Sequence, residues 1–163
     1  MAFRCATCSD IHEALPHIAF DRPHYAWGVP EAERAARVLL TPDHCVIDGQ
    51  DFFIRGVLEL PLVDAAGSLG YGVWVSQKRE NYERYCAEPD SDAIGPFFGW
   101  LSSELRGYPA STLNLETMAH FQGPKLRPKI VVRPGDHPLA LEQVRGITEA
   151  RAWEIVHGYW PPQ

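Results

Sequence analysis

The feature of the sequence that most constrains the fold is a short turn between two strand-like segments. Residues 44–47, His-Cys-Val-Ile, run into Asp48-Gly49, and the apolar segment 52–60 follows before Pro61. An Asp-Gly pair adopts the positive φ angles of a tight hairpin turn at low cost. A proline at the end of a strand interrupts its hydrogen bonding. The pattern therefore predicts an antiparallel hairpin.

Shorter strands and helices are predicted on both sides of this hairpin. The 13 glycines and 14 prolines are spread over the whole length, which is typical of short elements joined by tight turns. Strand segments lie in the middle of the chain and helical segments flank them, without a βαβ alternation. The sequence thus predicts an α+β fold with an antiparallel sheet of about five to six strands, short flanking helices and an N-terminal zinc-knuckle-like turn.

The expected boundaries follow from periodicity, turn residues and helix caps. The second helix should bury Tyr82, Tyr85 and Cys86, which share one face. Beyond the hairpin, strands are expected at 71–76, 97–105, 113–121 and 130–133. Helices are expected at 30–39, 77–86 after a Ser76 cap, 138–145 after Asp136 or His137, and 149–157 after Thr148.

Length and charge limit the class of protein. A chain of this size is one domain by default, so residues 1–163 should form a single domain, with 1–20 as a knuckle segment packed on the sheet. The net charge of −6 argues against nucleic-acid binding, which needs clustered Lys and Arg. No segment approaches the roughly 20 apolar residues of a membrane span, and no secretory signal is recognisable. We therefore expect a cytoplasmic protein without nucleic-acid or membrane partners.

A cysteine pair near the N-terminus is the clearest metal-site signal. Cys5 and Cys8 form a Cys-x-x-Cys pair, which His12 follows, and Cys45 lies further along. The turn of such a pair directs two thiolates at one tetrahedral centre, which suits Zn²⁺. Cys5, Cys8, His12 and Cys45 are therefore the candidate ligands of a structural zinc ion. Two alternatives stay open: free thiols with His12 at the surface, and a redox dithiol.

Polar and aromatic residues on the predicted strands are candidates for a binding cleft. Arg55 lies in the middle of a strand, and the two-residue period places Glu59 on the same face among apolar neighbours. Such a guanidinium faces solvent, pairs with a carboxylate or awaits an anionic ligand. Trp74 and Trp100 lie on separate strands, where large aromatics are usually core residues but also form binding patches. The candidate ligand-binding residues are Arg55, Trp74 and Trp100.

A basic segment lies near the last predicted strand. Lys125, Arg127, Lys129 and Arg133 alternate with prolines, a pattern typical of an edge strand protected against further pairing. The alternative is a surface that binds an acidic partner.

No motif in the sequence specifies a reaction. The chain has no Gly-x-Ser-x-Gly elbow, His-Glu-x-x-His helix, phosphate-binding loop or dinucleotide fingerprint, and no catalytic residue is assigned. The preferred hypothesis is a non-enzymatic binding or interaction module with a structural zinc site, whose partner is a protein or a small anionic ligand. Two alternatives stay open: an enzyme with a cleft around Arg55, Trp74 and Trp100, and a thiol-redox or metal-sensing protein that uses Cys5 and Cys8.

Several short motifs together resemble one bacterial family. They are Cys5–Cys8 with His12 and 15–16, Cys45–Gly49 leading into Phe52–Gly56, Gly72–Val75, Gly107–Pro109 with Leu113, and His137–Ala140 with Gln143 and 146–147. Over nearly its entire length the chain resembles the uncharacterised family catalogued as domain of unknown function 2199. The resemblance implies a small bacterial protein and brings no activity with it. A metal site of the family would fall on Cys5, Cys8, His12 and Cys45, although Ser9 stands where knuckles often have glycine.

Overall fold

Two long strands in the middle of the chain organise the fold. The computed structural model describes residues 14–161, together with the backbone of two short strands in the N-terminal segment. The strands are β1 (Phe3–Arg4), β2 (Ile11–His12), β3 (Ile18–Ala19), β4 (Val38–Leu40), β5 (His44–Ile47), β6 (Asp51–Pro61), β7 (Ser68–Gln77), β8 (Phe97–Trp100), β9 (Glu116–His120) and β10 (Lys129–Val132). The helices are α1 (Glu31–Arg37), α2 (Arg79–Ala87), α3 (Pro138–Arg145) and α4 (Glu149–Tyr159), and a 3₁₀ segment, His24–Gly28, precedes α1.

The hairpin predicted around Asp48-Gly49 is confirmed. Strands β5 and β6 pair antiparallel, from His44 opposite Ile54 to Ile47 opposite Asp51. Asp48 and Gly49 both have positive φ angles, 53° and 64°, as an Asp-Gly turn favours. The loop has three residues, 48–50, and the Gln50 amide closes it by donating to the carbonyl of Ile47.

The main sheet is mixed, so the prediction of an antiparallel sheet is wrong on this point. Eight strands form it, in the order β3-β7-β6-β10-β9-β8 with β5 and then β4 added beside β6. The pairs β3–β7 and β10–β6 are parallel, and the others are antiparallel. Parallel neighbours need long connections, and β10 returns to β6 only after β7, α2, β8 and β9. Local sequence patterns do not predict that a strand pairs with another so far away in the chain. Strands β1 and β2 form a separate antiparallel pair.

Part of the sheet closes into a ring. On its second edge, β7 pairs with β3 at Tyr71 and Gly72, and further along Val75 forms an antiparallel bridge with Leu101. The Ser102 amide donates to the carbonyl of Trp74 at 2.8 Å, which continues this contact beyond β8. Strands β6, β7, β8, β9 and β10 therefore form a closed ring, in which the free edges of an open sheet are paired.

The two faces of the β6–β7 hairpin belong to two different cores. Alternate side chains point to opposite faces of a strand, and Ile54, Leu58 and Leu60 face a large core that α3 and α4 complete. Phe53 and Trp74 face the other side, where a smaller apolar cluster is covered by the segment that precedes β5. The smaller cluster comprises Ala26, Val29, Cys45, Ile47, Phe53 and Trp74, with Phe20 and Val38 packed against it.

Helices α1 and α2 differ from the sequence-based prediction. The helix expected at 30–39 ends at Arg37, because 38–40 pair with β5 as strand β4. The β-branched Val38 fits this pairing better than a helix. Ser76 lies within β7 and does not cap α2, whose N-cap residue is Lys78. Cys86 is exposed rather than buried, whereas Tyr85 of the same helix enters the large core.

The last two helices are confirmed with their caps. His137 accepts the Leu139 amide at the start of α3, and Thr148 accepts the Arg151 amide at the start of α4. The predicted edge strand is wrong: β10 lies inside the sheet, between β9 and β6. Among the residues that the structure describes, no helix has the length and apolar character needed to cross a membrane.

Candidate functional site

The outer face of the β6–β7 hairpin changes from apolar to polar along its length. Phe53 belongs to the smaller core, and the next side chains of β6 on this face are Arg55, Val57 and Glu59. Opposite them on β7 lie Trp74, Gly72 and Gly70 in turn. Because the two glycines have no side chains, other groups can approach the β7 backbone closely beside Val57 and Glu59.

Arg55 lies at this boundary and has no carboxylate partner among the described residues. Its Nη1 lies 3.5 Å from the carbonyl oxygen of Pro42, and its Cζ lies 5.8 Å from the centre of the Trp74 ring. Its Nε is buried and has no hydrogen-bond partner in the part of the chain that the structure describes. No Asp or Glu among residues 14–161 forms a salt bridge with it. A buried donor that is left unpaired costs free energy, and more so on a charged group.

The His17 imidazole lies over the two glycines, next to this guanidinium. A Cβ atom at Gly70 would lie 2.8 Å from His17 Nδ1. A Cβ atom at Gly72 would lie 3.3 Å from His17 Nε2 and equally 3.3 Å from Arg55 Nη2. The two nitrogen atoms thus converge on one point of the β7 backbone. A side chain at Gly70 would displace His17, and one at Gly72 would crowd both His17 and Arg55.

Neighbouring charges of both signs act on His17 and Arg55. Burial lowers the pKa of His17, and the cationic Arg55 and Arg127 lower it further, against a smaller opposing effect of Glu59. Burial also lowers the pKa of Arg55, followed by Arg127, with Asp21 and Asp43 acting in the opposite direction. Arg127 itself donates to Asp43 at 2.9 Å. Within residues 14–161, Arg127 therefore has a carboxylate partner and Arg55 has none.

Two pockets adjoin Val57 and flank this region. One, of about 450 Å³, lies where the neighbour of β6 changes from the β5 segment to the β10 segment. The Arg55 amide still donates to Asp43 O, before β5, whereas the Val57 amide donates to Pro128 O, before β10. The other, of about 410 Å³, lies beside the glycines of β7. We call Arg55, His17 and the two pockets the β6 cleft. The first pocket is lined by Asp43, Val57, Tyr85, Pro89, Asp90 and 125–127, the second by 15–17, Val57, Glu59, Gly67, Ser68 and Gly70.

The structure brings together two of the three predicted ligand-binding residues. Arg55 and Trp74 are cross-strand partners, and the indole of Trp74 is buried, with Nε1 donating to Phe20 O at 2.8 Å. Trp100 lies elsewhere, in a separate pocket on the side of β8. Glu59, expected to share a face with Arg55, does so at the far end of the cleft.

The predicted metal ligands lie largely outside the described residues. This holds for Cys5, Cys8 and the side chain of His12, while the backbone pairing places His12 opposite Phe3. Cys45 is fully buried among apolar side chains, and burial raises the pKa of its thiol to about 11. Within residues 14–161, no three His, Cys, Asp or Glu side chains are grouped to hold a metal ion. The zinc site therefore stays a prediction.

Sequence reasoning missed several residues of the cleft. Neither His17 nor the pairing of Arg127 with Asp43 follows from a local pattern, because each depends on a contact between distant segments. One signal was present: Gly70 and Gly72 are separated by one residue within an apolar strand, and glycine there often marks close approach of another group.

The fold and the cleft define a class of protein: an α+β domain with a closed ring of strands and a cleft around Arg55 and His17 beside its longest hairpin. Residues 4–147 match a family described as "Uncharacterized protein conserved in bacteria (DUF2199)", so the chain belongs to that family and the resemblance is confirmed. Neither the curated proteins nor the solved structures give a match to this chain.

Proposed function

We propose that this protein is a binding module whose β6 cleft takes a small anionic ligand, with Arg55 as the anchor. The observation that carries the proposal is the partly buried guanidinium, whose Nε has no hydrogen-bond partner within residues 14–161. A guanidinium presents its N–H donors in a planar fork that matches a carboxylate or phosphate in two parallel hydrogen bonds. An anion bound there would supply the acceptor that Arg55 lacks.

The surroundings of Arg55 support an exchangeable anion over a fixed ion pair. Asp43, one of the two carboxylates whose charge acts on Arg55, is engaged by Arg127 at 2.9 Å. His17 contributes a second nitrogen atom next to Arg55 Nη2. The two adjoining pockets offer room for a ligand larger than the anionic group alone, within the usual volume of small-molecule sites.

A ligand titration of matched arginine variants tests this proposal. Inorganic phosphate, acetate and succinate are titrated by calorimetry against the wild type, Arg55→Met and Arg84→Met. Arg84 is the control, because it lies on the exposed surface of α2 and pairs with Glu88. We expect one or more of these anions to bind the wild type and Arg84→Met, and Arg55→Met to lose binding while keeping its thermal midpoint within about 2 °C.

Two results would contradict the anion proposal. One is that none of the three anions binds the wild type. The other is that Arg55→Met is destabilised by about 3 kcal/mol or more, which is the cost of removing one partner of a buried ion pair.

We also propose a structural zinc ion on Cys5, Cys8, His12 and Cys45. The antiparallel pairing of Phe3–Arg4 with Ile11–His12 supports it, because the pairing brings the backbone at His12 beside the residues that precede Cys5. Zinc bound to these residues would link the N-terminal segment to β5 and stabilise the fold without taking part in a reaction.

Metal analysis of protein purified without chelators tests the zinc site. We expect about one zinc ion per chain in the wild type, as a single tetrahedral site requires. Cys5→Ser and Cys8→Ser should lose it, whereas Cys86→Ser should keep it, because Cys86 is an exposed thiol on α2. Loss of zinc in Cys45→Ser identifies Cys45 as a ligand. Wild-type protein that is free of zinc would refute the site.

A further inference from the structure

Another pocket lies apart from the β6 cleft, where β8 closes the ring. Its volume is about 290 Å³, and it combines three aromatic rings with four polar side chains. None of its residues lines the two pockets of the β6 cleft. We call it the Trp100 pocket. Its lining residues are Tyr25, Asp51, Phe53, Ser76, Trp100, Ser102 and Asn114.

Trp100 presents an exposed and well-positioned ring to this pocket. Trp100 is 44% exposed, whereas tryptophan residues are usually largely buried. Phe98 meets the indole edge to face, with ring centres 5.0 Å apart and an interplanar angle of 87°. The Trp100 backbone is held on both sides, since its N–H donates to Ser76 Oγ and its carbonyl accepts from Ser102 Oγ. The ring is therefore oriented before any ligand arrives.

The opposite wall of the pocket is also ordered. Tyr25 is 40% exposed and stacks on the buried Phe53, with ring centres 6.3 Å apart and an interplanar angle of 27°. The Tyr25 hydroxyl donates to Asn114 Oδ1 at 2.5 Å, which ties the 3₁₀ segment to the loop before β9. Aromatic surface in this pocket is thus supplied by two rings that are each fixed by a neighbour.

Two polar groups of the pocket keep free hydrogen-bonding capacity. The Asp51 carboxylate makes no hydrogen bond or ion pair with any residue in the described part of the chain. Asn114 uses its Oδ1 for Tyr25, so its NH₂ group keeps two donors. The pocket therefore offers an acceptor that bears a negative charge, amide donors and an apolar ring face.

We propose that the Trp100 pocket binds a neutral polyhydroxylated ring, such as a single sugar residue. The hydroxyl groups of a sugar both donate and accept, so one ring can donate to Asp51 and accept from Asn114. The C–H face of such a ring is apolar and packs on an exposed indole. An anion would be repelled by Asp51, and an ammonium ion would leave the Asn114 donors without an acceptor.

Ligand-observed saturation-transfer NMR and calorimetric titration test this site. The probes are the methyl glycosides of glucose, galactose and mannose, N-acetylglucosamine, and choline as a cation of similar size. We expect one or more of the sugars to bind with a dissociation constant below about 10 mM, and choline not to bind. Trp100→Ala and Asp51→Asn should each weaken binding by about tenfold, the size of one aromatic or charged hydrogen-bonding contact.

Matched variants separate this site from folding effects and from the β6 cleft. Trp27→Ala removes another exposed tryptophan, 54% exposed, that does not line the pocket, and this variant should bind the sugar as the wild type does. Arg55→Met should also keep sugar binding, so failure of the anion proposal leaves this one standing. Sugar binding that survives Trp100→Ala, binding of choline alone, or no binding of any sugar would each overturn the proposal.

Discussion

Replacement of Gly99 by alanine tests the closure of the strand ring. A methyl carbon at this position would lie 2.1 Å from the carbonyl oxygen of Ser76, whereas ordinary contacts begin at 3.4 Å. The oxygen belongs to the backbone of β7 and cannot rotate away, so β8 must move outward by about 1.3 Å. No other residue type fits between the two strands at this point.

The size of the effect follows from what the movement disturbs. Crowding of this kind costs about 1–3 kcal/mol. Two hydrogen bonds between β7 and β8 lengthen, from Trp100 N to Ser76 Oγ and from Gln77 Nε2 to Phe98 O, and each is worth about 0.5–1.5 kcal/mol. Alanine also reduces the conformational entropy of the unfolded chain, which offsets about 0.4–1 kcal/mol of this loss. We expect Gly99→Ala to lower the free energy of unfolding by about 2–4 kcal/mol.

Urea unfolding, followed by tryptophan fluorescence and circular dichroism, measures this loss. The thermal midpoint should fall by roughly 5–15 °C for a chain of this length. Gly28→Ala is the matched control, because a Cβ atom there has nothing within 4 Å and its φ is not positive. That variant should stay within about 0.5 kcal/mol of the wild type or gain slightly. A Gly99→Ala protein as stable as Gly28→Ala would refute the close contact of β7 and β8.

Three further predictions concern the pH response, the core and a helix cap. The pKa of His17 is lower in the folded protein than its ordinary value of 6.5, so the unfolded chain binds more protons. The free energy of unfolding should therefore fall as the pH drops below about 6.5. Urea unfolding at several pH values should show a smaller fall for His17→Gln. Leu58→Ala, at a fully buried position, should lower the free energy of unfolding by about 2–5 kcal/mol. Leu39→Ala, at a position that is 55% exposed, should lower it by less than about 1 kcal/mol. Equal losses would contradict the assignment of the core. Thr148→Ala removes the acceptor of the Arg151 amide and should lower the free energy of unfolding by about 1 kcal/mol, with Thr148→Ser close to the wild type.

Features that depend on neighbouring residues in the chain were predicted correctly. The Asp48-Gly49 turn formed as predicted because its positive φ angles depend on the two residues themselves. His137 and Thr148 capped the last two helices because a cap needs only the next few amides. Alternation along β6 correctly placed Arg55 and Glu59 on one face, since the strand period of two is a property of the backbone.

Contacts between distant segments decided the rest. The parallel pairing of β10 with β6 made the sheet mixed, and pairing of 38–40 with β5 ended α1 before its predicted end. The β6 cleft exists because His17 from before β3 and Arg127 from before β10 meet Arg55 on β6. Such contacts depend on which strands become neighbours in the closed ring, and residues far apart in the chain leave no shared local pattern from which that choice can be read.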